Sequence, residues 1–214
     1  MARAVKISDS VVRRLPLYLR VLDDLSQTQG VKLLSSQELG ERAGVTPALV
    51  RKDLAWFGEF GKQGVGYDVH YLRDELRRIL HLDREVRIAL VGVGSLGMAL
   101  ARYHRRRYLN EPDFHLHIVA LFDTDARKIG EVVDGVPILP LDELPGIVDR
   151  LAIRMAMIAV PTEAAQGVAD RLVRAGVKGI LNFAPVKLKV PEHIHVAAAD
   201  LSAELQCLAY YLES

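Results

Sequence analysis

The 214-residue sequence contains a single cysteine, Cys207. One thiol cannot form a disulfide within the chain, and it excludes any metal site built from several cysteines. Because Cys207 stands at helical spacing among leucines, we expect it to pack in a core rather than to carry redox chemistry.

The sequence also lacks an apolar run of the roughly 20 residues that are needed to cross a bilayer. Its start, "MARAVKISDSVVRRL", is basic but has no apolar centre of the kind found in signal peptides. We therefore expect a cytoplasmic protein that does not contact a membrane.

The sequence has almost no excess of charge of either sign, since its net charge is +1, and half of its residues are hydrophobic. Such a composition supports one large core or two modest ones and argues against disorder. Residues 1–81 carry 13 Lys and Arg against 10 Asp and Glu, whereas the remainder carries 15 against 17. This mildly basic first part is compatible with nucleic-acid binding but does not establish it.

The first third of the chain is predicted to be helical. In "DSVVRRLPLYLRVLDDLSQTQG", Pro16 suits the first turn of the main helix and Gly30 suits its end. The buried side of this helix is marked by apolar residues at three- and four-residue steps, Val12, Leu15, Leu19, Leu22 and Leu25. Ser35, three residues before Glu38, predicts a capping box for a second helix, which Gly44 ends.

A third helix is predicted after the tight turn "AGVTP", with Thr46 as its N-cap and Pro47 at its first position. Its inward side consists of Val50, Leu54 and Phe57. Two helices joined by such a turn indicate a helix-turn-helix.

The opposite side of the third helix combines small and basic residues. Ala48 and Ala55 flank Arg51 and Lys52 at about 100° per residue. Arg51 suits a guanine edge or a phosphate, Lys52 suits a phosphate or a base, and Pro47 or Ala48 suits a thymine methyl. The alternative is an ordinary solvated helix face.

The stretch "GEFGKQGVGYDV" holds four glycines in nine positions and predicts a β-hairpin, or wing. Lys62 and Gln63 at its tip could reach a phosphate or the minor groove. A further helix with Leu72, Leu76 and Ile79 on one side closes a domain that we expect to span residues 1–82. The candidate DNA contacts are Thr46, Pro47, Ala48, Arg51, Lys52 and Lys62.

From Val86 onward, strands alternate with helices, which is typical of a doubly wound parallel sheet of the Rossmann type. The predicted strands are Val86–Gly92, His115–Asp123, Val136–Leu139, Arg154–Val160, Lys178–Asn182 and His195–Ala199. We expect this α/β domain to span residues 83–199 and a C-terminal helix to occupy residues 200–214.

Gly92, Gly94 and Gly97 have the G-x-G-x-x-G spacing between an apolar strand and a helix. In a dinucleotide site, the first glycine allows the tight turn, the second lets the backbone approach a pyrophosphate, and the third lets helix and strand pack closely. The candidate loop contacts are Gly92, Val93, Gly94, Ser95, Leu96 and Gly97. The alternatives are glycines used only for packing, or a pocket for another adenine nucleotide.

Asp123 ends the next strand, 26 positions beyond Gly97. A carboxylate there accepts from a ribose 2′-hydroxyl and repels a 2′-phosphate, which favours NAD(H) over NADP(H). Asp125 adds a second negative charge, whereas Arg127 and Lys128 bring positive charge to the same segment.

Two more strand ends should face the same crevice. Pro161 follows one of them, although Pro161 and Thr162 could simply begin a helix. Asn182 and Phe183 end another and could supply an amide and an aromatic wall for a nicotinamide ring, with core packing as the alternative for Phe183.

Candidates for catalysis and for metal binding are missing. A hydride-transferring enzyme needs a proton donor or acceptor near the nicotinamide and a substrate pocket, and the sequence offers neither a Tyr-x-x-x-Lys pair nor a substrate domain. His115 with His117, and His193 with His195, share strand faces but lack an acid or cysteine cluster beside them. We expect no catalytic residue and no metal site.

The segments "RLPLYLRVL", "SSQELGERAGVTPALVRKDLAWFGEFGKQGVGYDV" and "LVGVGSLGMALARY" resemble the Rex family of redox-sensing transcriptional repressors over nearly the whole chain. The resemblance implies a winged-helix domain that binds an inverted-repeat operator in double-stranded DNA and a Rossmann domain that senses the balance of NADH and NAD⁺, with NADH causing release. It implies that Arg51, Lys52 and Lys62 contact DNA and that the loop Gly92 to Gly97, with Asp123, holds the dinucleotide. It also implies a homodimer that exchanges its C-terminal helices, for which Leu201, Leu205, Leu208 and Leu212 form a suitable stripe. The alternative is that this helix packs on its own subunit.

The resulting hypothesis is a repressor whose DNA affinity is set by NADH and which carries no enzyme activity. The alternative is an NAD-dependent dehydrogenase with an accessory helical domain. A third hypothesis is a regulator that binds another adenine nucleotide, such as a CoA derivative. Under the first, we expect NAD⁺ to bind less well because its cationic ring is costly to desolvate near Phe183 and Ala184.

Overall fold

A computed structural model describes residues 7–27, 31–62 and 64–213. The chain divides into two compact units, Met1–Arg84 and Glu85–Ser214. The predicted α/β class is confirmed, with a helical winged unit first and a Rossmann-type unit second. Gly30 and Gln63, which the sequence places at a helix end and at the wing tip, lie outside the described residues.

The first helix, α1, spans Asp9–Ser26 and differs from the prediction in two respects. Pro16 lies in its interior and not in its first turn, because helical structure already begins at Asp9. Val12 is 42% exposed, whereas Val11 is buried. The other predicted apolar residues, Leu15, Leu19, Leu22 and Leu25, are buried as expected.

The helix-turn-helix is confirmed. Helix α2 spans Ser36–Ala43, begins with the predicted Ser35–Glu38 capping box and ends at Gly44, whose φ of 71° is left-handed. Helix α3 spans Pro47–Leu54, and the Thr46 hydroxyl accepts a hydrogen bond from the Leu49 N–H at 3.3 Å. Val50 and Leu54 are buried and Phe57 is partly buried.

The wing is confirmed and is larger than predicted. Strands β2 (Gly61–Lys62) and β3 (Gly66–Asp68) pair antiparallel. A third strand, β1 (Leu33–Leu34), pairs with the other side of β3, and its two residues are too few for an alternating pattern to reveal it. Helix α4, Val69–Ile79, then packs Leu72 and Leu76 into the same core.

A charged residue lies at the centre of the first unit. Asp53 of α3 is 1% exposed, and its carboxylate accepts hydrogen bonds from the Arg14 guanidinium at 2.6 and 2.8 Å and from the Tyr18 hydroxyl at 2.7 Å. This network joins α1 to α3 and therefore fixes the orientation of the helix that presents Arg51 and Lys52.

The second unit contains a seven-stranded sheet. Its strands are β4 (Val86–Val91), β5 (Leu116–Asp123), β6 (Val132–Val133), β7 (Val136–Pro140), β8 (Met155–Ile158), β9 (Gly179–Asn182) and β10 (His195–Ala198). They lie in the order β10-β9-β8-β4-β5-β7-β6. The six predicted strands run parallel, and β6 adds an antiparallel edge strand that the sequence pattern did not indicate.

Helices cover both faces of this sheet. Helix α5 (Ser95–Asn110) packs on one face with Ile88 and Leu90, whereas α6 (Leu144–Arg150) and α7 (Thr162–Arg174) pack on the other with Ala89 and Val91. Strand order reverses between β4 and β8, which places the expected ligand crevice at the carboxyl ends of these two strands.

The last helix, α8 (Leu201–Ala209), leaves its side chains exposed. Leu201, Leu205 and Leu208 are each more than 60% exposed. The prediction that Cys207 packs in a core is wrong for the chain as described, because its thiol and the other α8 side chains are exposed. Within the described residues, no helix is long and apolar enough to cross a membrane.

Candidate functional site

The glycine loop begins directly after β4. Gly92 has a φ of 96°, and its N–H donates to the Phe122 carbonyl oxygen at 2.8 Å. A Cβ added to Gly92 would lie 2.4 Å from the carbonyl oxygen of Ala159. Conformation and space therefore both demand glycine at this turn.

Gly97 and Gly94 meet different demands. A Cβ on Gly97 would lie 1.9 Å from the Gly92 carbonyl oxygen, so the first turn of α5 can pack on the loop only without a side chain there. A Cβ on Gly94 would meet nothing within 4 Å, and Gly94 lines an open cavity. The loop backbone at Gly94 is thus free to be approached closely by a ligand, at the amino end of α5, where unpaired N–H groups favour an anion.

Asp123 is tied to this loop by hydrogen bonds. One carboxylate oxygen, Oδ2, accepts from the Val93 N–H at 2.9 Å and from the Lys128 ammonium at 3.1 Å, and the other, Oδ1, accepts from the N–H groups of Thr124 and Asp125. Burial alone would raise the pKa of Asp123, but the N–H groups of Asp125 and Val93 and the Lys128 charge hold it below its ordinary value. Asp123 is therefore an anion that orders the glycine loop.

A cavity of about 450 Å³ opens between the loop and α7. Four of the predicted cofactor contacts line it together, namely Gly92, Gly94, Asp123 and Pro161. Val93 is 2% exposed, and its N–H donates to the Asp123 carboxylate. Ser95 and Leu96 are exposed in the first turn of α5.

The predicted contacts at the end of β9 are placed differently. Asn182 is 1% exposed, and its amide donates to the carbonyl oxygens of Ala184 and Val186 while accepting from the Ala184 N–H. Its amide thus shapes the loop after β9. Phe183 packs partly buried against the core on the α5 side of the sheet.

Several lining residues were not expected from the sequence. The cavity is also lined by Lys128, Leu141, Ala164, Gly167, Val168 and Arg171. Four of these recur at the i, i+3, i+4 and i+7 spacing of one α7 face. The signal that could have revealed this face is Gly167, a glycine inside a helical pattern.

The face of α3 that the sequence predicts to contact nucleic acid is exposed. Ala48, Arg51, Lys52 and Ala55 are all exposed, as is Lys62 in the wing. The Arg51 guanidinium donates to the Ser36 hydroxyl at 2.8 Å, so its side chain is positioned across the helix-turn-helix. Thr46 is exposed while capping the helix, and Pro47 is partly buried.

The histidines do not assemble a metal site in the part of the chain that the structure describes, where no group of three His, Cys, Asp or Glu residues is suited to hold an ion. His193 and His195 are exposed. His117 stacks on Tyr108 at 3.8 Å between ring centroids, and desolvation lowers its pKa.

Comparison with known proteins identifies both units. Residues 6–55 match a family described as a putative DNA-binding protein N-terminus, and residues 83–186 match one described as a CoA binding domain. The redox-sensing transcriptional repressor Rex of Brevibacillus brevis is 49% identical over 212 residues, which cover 99% of this chain and 100% of the relative.

Two crystal structures of RSP, a Rex-family repressor, have similar folds. The complex with NAD⁺ and operator DNA has a TM-score of 0.87 and 36% identity, with 97% of this chain and 93% of that chain covered. The complex with NADH has a TM-score of 0.83 and 34% identity, with 98% and 95% covered. The names of these relatives describe transcriptional repressors and operator binding, which supports the repressor hypothesis over the dehydrogenase alternative. The chain belongs to the Rex family of redox-sensing transcriptional repressors.

Proposed function

We propose that this chain is a cytoplasmic repressor that binds an inverted-repeat operator as a homodimer and is released when NADH occupies its cavity. The observation that carries the proposal is the presence, in one chain, of an exposed basic helix-turn-helix and a glycine-loop cavity of about 450 Å³. In support, RSP has been crystallised with NAD⁺ and operator DNA together, and with NADH.

In the proposed complex, the pyrophosphate lies against Gly92 and Gly94 at the amino end of α5. The first-turn N–H groups of α5, those of Ser95, Leu96 and Gly97, are the proposed pyrophosphate donors, whereas the Val93 N–H is engaged by Asp123, which we assign to the adenosine ribose. Because the four acceptor positions of the Asp123 carboxylate are already occupied, the ribose hydroxyl must share or displace one of these donors. The Lys128 ammonium, carried by a flexible side chain, is the donor that can move most easily.

At the nicotinamide end, we assign Pro161, Asn182 and Phe183. Asn182 acts by holding the loop after β9, since its amide is engaged there. Phe183 is partly buried on the α5 side of the sheet and Ala184 is buried on the other side, so we assign only Phe183 to the apolar surroundings that would tolerate a neutral NADH ring better than a cationic NAD⁺ ring. Equal affinity for the two oxidation states in Phe183→Ala, with a strong NADH preference in the wild type, would support this assignment.

On the DNA side, the proposed contacts are Thr46, Pro47, Ala48, Arg51 and Lys52 in the major groove and Lys62 from the wing. The domains are assigned as DNA-binding for residues 1–82, dinucleotide-binding for 83–199 and dimerisation for 200–214. Dimerisation is supported by the exposed leucines of α8, a contiguous apolar stripe of the kind that marks an interaction surface.

The two sites act on one another through linkage. NADH can release DNA only if it binds the DNA-incompetent arrangement more tightly, and a nearly complete switch requires about 5.5 kcal/mol of preference, shared by two cavities in a dimer. The third hypothesis, a CoA derivative as ligand, predicts a larger rise in melting temperature with that compound than with NADH.

The test is binding of a palindromic operator fragment, titrated with NADH, NAD⁺ and NADPH at fixed salt. We expect NADH to weaken DNA binding strongly, NAD⁺ to weaken it little, and NADPH to act only at much higher concentration. Equal operator affinity of the NADH-saturated and ligand-free protein would refute the proposal.

A further inference from the structure

The α7 wall of the cavity has an unusual composition. Ala164, Gly167 and Val168 present small or apolar surfaces, and Leu141 stands on another wall. Glycine inside a helix costs about 1 kcal/mol relative to alanine. A Cβ on Gly167 would meet nothing within 4 Å, so the space left by the missing side chain belongs to the cavity.

Arg171 continues the same α7 face and also lines the cavity. Its guanidinium donates to the Asp142 carboxylate at 2.7 Å, and Asp142 directly follows Leu141 in a short 3-10 helix, Leu141–Glu143. The ion pair therefore connects two walls of the cavity. Arg171 and Asp142 also line a neighbouring hollow with Pro145, Arg174 and Ala175, so the pair stands between the two spaces.

The ion pair is not placed where it would contribute much to folding. The Arg171 and Asp142 side chains are 45% and 89% exposed, and exposed pairs contribute little to stability. Instead, the pair orients the planar guanidinium of Arg171. This cation lies beside an apolar part of the cavity, which we call the slot and which is lined by Leu141, Ala164, Gly167 and Val168.

The position of this slot indicates which ligand group would enter it. If the pyrophosphate lies at Gly94 and the ribose at Asp123, the base of the adenosine lies beyond Asp123, where Thr124, Leu141 and the α7 face line the cavity. Arg171 is nine residues after Thr162, about 13 Å along α7 from its amino end at the glycine loop. A purine is flat and apolar on its faces, and a guanidinium stacks favourably on such a ring.

We propose that Arg171 is an adenine-binding residue of this chain, that Asp142 is the positioning residue that holds it, and that Gly167 leaves the room the purine needs. This proposal rests on the proposed function, since it identifies the adenosine end of the same cavity.

The test compares ligands that contain or lack adenosine. Calorimetric titrations use NADH, ADP-ribose and reduced nicotinamide mononucleotide with the full chain. We expect Arg171→Ala to lower the affinity for NADH and for ADP-ribose by the same factor, about fivefold to thirtyfold. The affinity for the mononucleotide should be unchanged. Arg171→Lys keeps the charge without the planar group and should recover only part of the affinity.

Matched variants separate the roles. Arg174→Ala removes an arginine from the same helix that lines only the neighbouring hollow, and its ligand affinities should equal those of the wild type. Asp142→Asn should weaken adenosine ligands in the wild-type background and have no further effect in Arg171→Ala, as expected for a residue that acts through Arg171. Gly167→Leu should fill the slot and abolish ADP-ribose binding, whereas Gly167→Ala should raise the melting temperature.

The outcomes distinguish a failure of the adenine assignment from a failure of the proposed function. Tight NADH binding by the wild type together with unchanged affinities in Arg171→Ala and Gly167→Leu would overturn the adenine assignment alone. Failure of the wild type to bind NADH at all would overturn the proposed function and this assignment with it.

Discussion

The Asp123 carboxylate accepts a hydrogen bond from the Val93 N–H at 2.9 Å, so the end of β5 and the glycine loop after β4 are one hydrogen-bonded unit. The acid expected to recognise a ribose is also the group that orders the loop expected to recognise a pyrophosphate. Lys128 completes this unit, because its ammonium shares the same carboxylate oxygen at 3.1 Å.

Asp123→Asn should therefore lower stability in a pH-dependent manner. The folded-state pKa of Asp123 lies below its ordinary value of 3.8, so its contribution is fully present above that value and is lost as pH falls through the folded pKa. We expect the melting temperatures of wild type and variant to differ most at neutral pH and to converge only as the pH falls below 3.8 through the folded-state pKa. Asp149→Asn, which changes an exposed carboxylate on α6, is the control and should match the wild type throughout. A difference that does not shrink as the pH falls below 3.8, through the acid range in which the protein stays folded, would show that the charge of Asp123 is not what stabilises the loop.

Alanine substitution should affect different properties at Gly94 and Gly97: ligand affinity at Gly94 and stability at Gly97. Gly97→Ala forces a Cβ to within 1.9 Å of a backbone oxygen, and we expect a loss of about 3 kcal/mol in unfolding free energy. Gly94→Ala meets open space at a φ of −80° and should change stability by less than about 0.5 kcal/mol. Gly94→Ala should nevertheless lower the affinity for NADH by about tenfold or more, because the added methyl group occupies the space through which the pyrophosphate approaches the backbone. Urea unfolding and calorimetric titration of both variants check this, and unchanged NADH binding by Gly94→Ala would remove the pyrophosphate from that position.

These glycines also show what could be predicted from the sequence. Their spacing follows from local chain geometry, as do the capping box at Ser35 and the six parallel strands, because each depends on residues close in sequence. The wing was predictable for the same reason. The two-residue strands β1 and β6 were not, since a pattern of period two cannot be recognised in two residues.

The parts of the site that escaped prediction depend on interactions between distant segments. Arg171 meets Asp142 only because α7 and the segment after β7 lie side by side. Asn182 was expected to face a ligand, but its amide satisfies the backbone of its own loop, which the residue type alone cannot reveal. Cys207 was expected in a core because its helix is apolar, but the side chains of that helix are exposed among the described residues.

The buried network around Asp53 should be the most sensitive point of the first unit. Burial alone would raise the pKa of Asp53, but hydrogen bonds from Arg14 and Tyr18 hold it below its ordinary value. Asp53→Ala leaves the Arg14 charge without its partner, and we expect a loss of about 3–5 kcal/mol in unfolding free energy. Asp9→Ala removes the exposed Asp9–Arg13 pair of α1 and should cost less than about 0.5 kcal/mol. Urea unfolding monitored by circular dichroism checks both, and comparable losses in the two variants would contradict the special role of the buried network.

Lys52 should contribute to operator binding mainly through phosphate. Lys52→Ala is expected to weaken specific and non-specific DNA binding alike. It should also reduce the slope of log affinity against log salt concentration by about one for each phosphate that is no longer neutralised. For a symmetric dimer, in which two Lys52 side chains are removed, the reduction is about two. Arg51→Ala should instead relax sequence preference if Arg51 reads a guanine edge.

Arg78→Ala on α4 is the matched removal of a basic residue, since the Arg78 side chain is 68% exposed, and it should leave the salt slope unchanged. Fluorescence anisotropy across a salt series measures these slopes. An unaltered slope in Lys52→Ala would place α3 away from the phosphates.

The exposed stripe of α8 should determine the oligomeric state. Leu205 and Leu208 are 66% and 61% exposed in the single subunit, and a charge at either position in a subunit interface would be buried without a partner. We expect the double variant Leu205→Asp, Leu208→Asp to sediment as a monomer and to bind its operator more weakly, because one subunit occupies only half of a palindrome. Ala203→Asp places the same charge about 200° around the helix from Leu201 and should remain dimeric. Sedimentation equilibrium decides between these outcomes, and a dimer that survives the double substitution would show that subunits associate through another surface.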